Sequence, residues 1–265
     1  MQIEYFLGYI GALFIGLILG LIGGGGSILT VPILVYLIGI NPVTATAYSL
    51  FVVGTSAFVG TLKNIQKKLV DFKIATVFVI PAFVAVYLTR KYLIPAIPNQ
   101  FYKLNSIIIT KDIAIMMLFA ILMLMASLAM IKTKTGVVKS KQQINYIVFF
   151  FQAAFIGVLT GLVGAGGGFL IIPTLMFFAR ISIKKAVATS LLIIAINSLI
   201  GFIGDVQNIA VDWIFLLTFT IISVIGIFIG IYLSKFINNR LLKKGFGWFV
   251  LVMGIFIITK ELMSI

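Results

Sequence analysis

The chain is 265 residues long, 62% hydrophobic and only 10% charged, with a mean hydropathy of +1.25 and a formal charge of +14. A soluble domain of this length needs far less apolar material for its core, and the 20 Lys and Arg residues fall in short clusters between apolar runs rather than on a basic face. A multi-pass protein of the cell membrane is therefore predicted and nucleic-acid binding is excluded. Cysteine and histidine are absent, which rules out disulfides, thiol chemistry and histidine-based metal sites or proton relays.

In chain order, apolar runs of spanning length are expected near 3–22, 43–62, 72–93, 112–131, 146–163, 184–204, 213–234 and 243–262. The first lacks a basic leader and is longer than a signal-peptide core, so it is read as a retained membrane segment. Two shorter apolar pieces, 28–39 and 169–179, each follow a glycine cluster and contain one proline, Pro32 or Pro173. The segment 95–111 reads as a loop, and 132–145 (KTKTGVVKSKQQIN) is the most polar stretch of the chain.

That polar stretch separates two related halves. FIGLILGLIGGGGSILTVPIL (14–34) aligns without a gap on FIGVLTGLVGAGGGFLIIPTL (155–175), an offset of 141 residues, and residues 12–71 share 21 identities in 60 positions with 153–212. Apolar stretches resemble one another by chance, but not at Gly, Pro, Gln and Asp, so the match is an internal duplication. The expected organisation is a repeat over 1–131, a cytoplasmic linker over 132–145 and a second repeat over 146–265. With about five elements per repeat, an odd number, the copies must be inverted in the membrane. The charges agree with inversion. Placing 63–73, 132–141, 180–185 and 235–244 in the cytoplasm collects 15 of the 20 basic residues there and leaves Arg90, Lys91, Lys103, Lys111 and Lys260 outside. The fold expected is thus an all-α polytopic membrane protein of two inverted repeats, with short broken or re-entrant helices after glycine-rich tips.

Four consecutive glycines break a helix, at a cost of about 1 kcal/mol each relative to alanine. Backbone opened inside a bilayer must be buried in protein or line a polar cavity. The short helix beyond such a break offers unpaired N–H groups and the positive end of its dipole, which together suit an anion. The binding residues expected are Gly24, Gly25, Gly26 and Ser27 at the first tip and Gly166, Gly167 and Gly168 at the second, with Ser27 capping its helix or donating to the ligand. The alternative for any of these glycines is close helix packing, which is the reading given to Gly16, Gly20, Gly157 and Gly161.

The paired signatures GLIGGGGSILTVP and GLVGAGGGFLIIP, the small-residue stretches ATAYSLFVVGTSAFVG and AVATSLLIIAINSLIGF, and the VDF and VDW openings at 70–72 and 211–213 resemble the TauE/SafE family of sulfite and organosulfonate exporters. That resemblance implies an inverted-repeat transporter of small sulfur-containing anions and covers nearly the whole chain. The tips differ in that Gly24 and Ser27 stand where the second copy has Ala165 and Gly168.

Further donors are expected from Ser49 and Ser190, which are equivalent in the two copies with Thr189 beside the second, and from Ser56 and its equivalent Asn197. Each has a bland alternative in interhelical bonding or a bond to its own helix. Asp71 and Asp212 directly precede apolar runs and read as helix caps rather than proton carriers. No Lys, Arg or His falls in the central part of an expected span, so a bound anion is expected to rest on N–H, hydroxyl and amide groups alone, which favours monoanions. No cofactor or metal is expected. A hydrolytic membrane enzyme would need clustered acids, His or Arg at its site, and an ATPase a Lys-Ser/Thr after the glycines, so no enzyme is predicted. A channel for the same anions is the alternative to a carrier.

Overall fold

The computed structural model describes residues 2–104, 107–132, 145–179, 181–234, 236 and 239–263. Most of the expected linker 132–145, with Lys134, Lys139 and Lys141, lies outside the described residues, as do Arg180 and Lys235. The described residues form ten helices and one small hairpin: α1 (Gln2–Ile22), α2 (Gly24–Leu37), α3 (Pro42–Gln66), α4 (Phe72–Ala96), β1 (Gln100–Leu104), β2 (Ile107–Thr110), α5 (Lys111–Lys132), α6 (Tyr146–Val163), α7 (Gly168–Phe177), α8 (Ile183–Asp205), α9 (Trp213–Leu233) and α10 (Asn239–Met263). Seven of them, α3 to α6 and α8 to α10, are long and apolar enough to cross a membrane. The apolar part of α1, Phe6–Ile22, falls below that length. The antiparallel hairpin, with Lys103 opposite Ile108, replaces the plain loop expected at 95–111.

Helix starts follow capping chemistry. Asn41 accepts from Val43 N and Thr44 N ahead of Pro42, and Asn145 caps α6 in the same way. Asp71 Oδ1 accepts from Ile74 N, and Asp212 Oδ1 from Phe215 N, each at 3.1 Å. The cap reading of the two aspartates is therefore what the geometry has.

Every helix of spanning length finds its most extensive packing in the other half of the chain. The pairs are α1 with α9, α4 with α6, α3 with α8, and α5 with α10. Small residues make the closest approaches: Gly16 and Gly20 lie against the α9 backbone at Ser223 to Ile231, and Gly157 and Gly161 lie against α4 at Ala82 to Thr89. These four glycines serve helix packing, as expected, and the two sets of contacts are the same set displaced by 141 residues. The offset recurs in polar contacts. Asp71 N donates to Thr189 Oγ1 at 3.0 Å, and Asp212 N donates to Tyr48 Oη at 2.6 Å, although 71 and 212, like 48 and 189, are equivalent positions. Large apolar side chains such as Phe151, Phe155, Ile214, Ile221 and Val252 stand exposed on the outer helix faces. Lipid is the solvent that suits them.

Candidate functional site

Both glycine clusters form turns buried among the helices, but they turn differently. In the first, only Gly23 has a left-handed φ, +79°, after which Gly24–Leu29 winds as a tight 3₁₀ segment opening α2. In the second, Gly164, Gly166 and Gly167 all have φ between +64° and +71°, a conformation that glycine adopts without strain, and α7 starts at Gly168. The turns meet: the Gly24 backbone lies directly against that of Gly168, leaving no room for a Cβ on either residue. Gly26 is pressed with equal closeness on the α1 backbone at Leu19, whereas Gly25 faces only the side chains of Ile22 and Phe246.

Polar atoms gather at the second turn. A Cβ on Gly166 would meet Ser198 Oγ and one on Gly167 would meet Thr160 Oγ1. Both hydroxyls are buried without a hydrogen-bond partner among the described residues, and so are Ser49 Oγ, Thr30 Oγ1 and both amide atoms of Asn197. Buried polar groups are nearly always paired, so a cluster of unpaired ones beside a helix start is a place that suits a polar ligand.

A comparison with protein families matches residues 9–257 to the family described as "Sulfite exporter TauE/SafE". The chain belongs to that family. A "Probable membrane transporter protein" of Xylella fastidiosa is 27% identical over 259 residues, covering 95% of this chain and 94% of its own. "Probable membrane transporter protein YunE" of Bacillus subtilis is 30% identical over 251 residues, covering 87% and 88%. No solved structure matches. As a TauE/SafE member the protein is an integral membrane transporter and not an enzyme.

Within this TauE/SafE chain the expected site residues divide. Ser27 does not cap its helix: its hydroxyl donates to Gly24 O at 2.7 Å, because a 3₁₀ turn brings that carbonyl within reach. Ser190 donates to Val187 O at 2.9 Å, within its own helix, and Thr189 receives the Asp71 N–H instead of standing free. Ser56 pairs with Ser223 of α9, Oγ to Oγ at 3.0 Å. The residue 141 positions before Ser223 is Ala82, which has no hydroxyl to offer, and Asn197, the equivalent of Ser56, is left with its amide unpaired. Ser49 stays buried and unpaired, unlike its equivalent Ser190.

The expectation of a site without a basic side chain fails at Arg90. It lies in a wide π turn, Thr89–Leu93, near the end of α4, and its side chain is fully buried. Nη1 forms an ion pair with Asp205 Oδ2 at 3.2 Å and donates to Thr46 Oγ1 at 3.0 Å. Nη2 adjoins Gly164, where a Cβ would lie 2.6 Å from it. In sequence Arg90 and Asp205 each sit at the edge of an apolar run, where a charge normally marks the membrane surface, and 115 residues separate them. Only the reach of a long side chain folded inward brings the guanidinium to the glycine turn.

Proposed function

We propose that the protein carries small sulfur-containing anions, sulfite or organosulfonates, across the membrane, and that it binds them where the two glycine turns meet. The observation that carries this reading is the convergence of Gly24 and Gly168 beside the unpaired hydroxyls of Ser198 and Thr160. The start of α7 supplies N–H groups with no intrahelical acceptor and a positive dipole end, Gly166 to Gly168 let an anion approach the backbone, and the hydroxyls donate. Ser49, Asn197 and Thr30 add donors close by in the chain to the same elements.

On this reading the halves 1–131 and 146–265, joined by a cytoplasmic linker, are repeats inverted about an axis in the membrane plane. The contacts that recur at an offset of 141 residues, with each half always the partner of the other, support it, as does the 15 to 5 division of basic residues. Transport then needs the turns to part on alternate sides, with one repeat rocking against the other.

Purified protein in liposomes preloaded with unlabelled sulfite should take up labelled sulfite by saturable counterflow, and methanesulfonate should compete. Flux that rises linearly with concentration and shows no counterflow would identify a channel. Saturable transport of a cation with no response to any sulfur anion would overturn the reading.

A further inference from the structure

Arg90 raises a question that an ordinary structural ion pair would not. A guanidinium binds a carboxylate best along a two-nitrogen edge, where two parallel N–H bonds meet two oxygens. Here Asp205 takes only the Nη1 corner and shares it with the Thr46 hydroxyl, while Nε and Nη2 are buried without a partner among the described residues. The edge best suited to two oxygens is the one left over.

The surrounding charge does not balance either. Lys111, buried at the start of α5 with its Nζ donating to Ile94 O, lies within electrostatic reach of Arg90 and Asp205, so two cations share one buried carboxylate. The neighbouring Asp112 turns to the exposed side, where it accepts from Asn41 Nδ2 at 2.8 Å. An excess of one positive charge in a low-dielectric site is costly unless an anion meets it.

Nor does the fold require the cluster. The positions equivalent to Arg90, Asp205 and Thr46 in the opposite copy are Ile231, Asn64 and Val187. There Gly23 packs on Val187 as Gly164 packs on Thr46, and the packing is complete with no charge at all. The charged set was added to one copy of a motif whose other copy does without it.

We infer that the Nε–Nη2 edge of Arg90 is an oxyanion-binding fork at the second glycine turn, taking a singly charged sulfur oxyanion through two of its oxygens. Asp205 and Thr46 are positioning residues: they hold Nη1 and so aim the opposite edge at Gly164. Gly164 has no side chain because one would block that edge. The inference rests on the anion-transport reading above and adds to it the residue that meets the charge.

Isothermal titration of the full-length protein in nanodiscs with sulfite and with chloride tests it, alongside thermal unfolding. Arg90→Lys keeps the charge and loses the fork. It should weaken sulfite binding at least tenfold and lower the sulfite-over-chloride ratio by a similar factor, while unfolding close to the wild-type temperature. The double variant R90Q/D205N removes both charges, leaves no lone ion, and should bind sulfite at least a hundredfold more weakly while remaining monodisperse. Asp205→Asn keeps the guanidinium but frees it, and should shift sulfite affinity by less than Arg90→Lys does. Sulfite binding within twofold of wild type in Arg90→Lys, or in R90Q/D205N, overturns the fork and leaves the transport reading standing. A wild-type protein that binds neither sulfite nor a sulfonate overturns both.

Discussion

The two glycine turns descend from one motif and now differ in every neighbour that matters. Around Gly23 to Ser27 the contacts are Val187, Leu19, Ile22 and Phe246, and the one hydroxyl present is tied to a carbonyl three residues away. Around Gly164 to Gly168 they are Thr46, Arg90, Ser198 and Thr160, and three left-handed glycines keep the backbone open to them. The difference separates two uses of glycine. In the first turn its smallness lets backbones touch, and in the second its backbone freedom aims polar groups at one point.

The largest expected effect concerns orientation. The natural chain has no cysteine, so Lys67→Cys and Asn208→Cys, exposed and 141 residues apart, can each be labelled without background. Inverted copies require impermeant reagent to reach Asn208→Cys from outside only and Lys67→Cys from the cytoplasm only. Labelling of both from one face would make the copies parallel and dissolve the comparison.

Next come the glycines themselves. Gly166→Val forces a β-branched residue into a left-handed φ of +64° against Ser198 and Ile194, and should reduce sulfite counterflow at least a hundredfold. Gly25→Val meets only side chains of Ile22 and Phe246, which can shift, and should keep flux within about threefold of wild type. Equal loss in the two variants would mean that both turns serve packing alone.

Smaller effects should separate the hydroxyls. Ser198→Ala or Thr160→Val should each weaken sulfite binding about tenfold, roughly the 1.4 kcal/mol that one hydrogen bond to a charged group contributes. Ser27→Ala should leave affinity within twofold and cost about 1 kcal/mol of stability, since its bond is internal to the turn. Last, Asp71→Ala and Asp212→Ala should lower stability by about 1 kcal/mol each without changing flux per folded molecule, because both are caps with matching geometry. A flux that lost its proton dependence in either variant would restore a coupling role.

Much of the fold could be read from the chain alone because lipid imposes a simple rule: apolar runs of fixed length become helices, and breaks announce themselves as glycine and proline. The span expected at 72–93 is the helix Phe72–Ala96, and the short piece expected at 169–179 is Gly168–Phe177. The site was less legible. Ser198 and Thr160 sit one helix away from the turns they face, at no spacing that a linear reading would single out. Arg90 and Asp205 looked like surface charges because hydropathy counts a charge at the end of a run as the end of the membrane, whatever its side chain then reaches. The duplication held a clue: Arg90 stands against Ile231 and Asp205 against Asn64, so both charges belong to one copy only. The hairpin at 100–110 was missed because its few apolar residues carry no period long enough to distinguish a strand from a loop.

The cross-wise pairing of helices has a consequence for how the protein is made. When a ribosome has delivered only the first half to the membrane, α1, α3, α4 and α5 all lack the partners against which they finally rest, since those are α9, α8, α6 and α10. The nascent first half must wait in the bilayer with its small-residue grooves and the buried arginine of α4 unmatched, and assembly is postponed until translation ends. Two separately synthesised halves should accordingly be cleared by membrane proteases when made alone and persist when made together, which would make the polar segment between them dispensable for assembly though not for bringing the pieces to the same place.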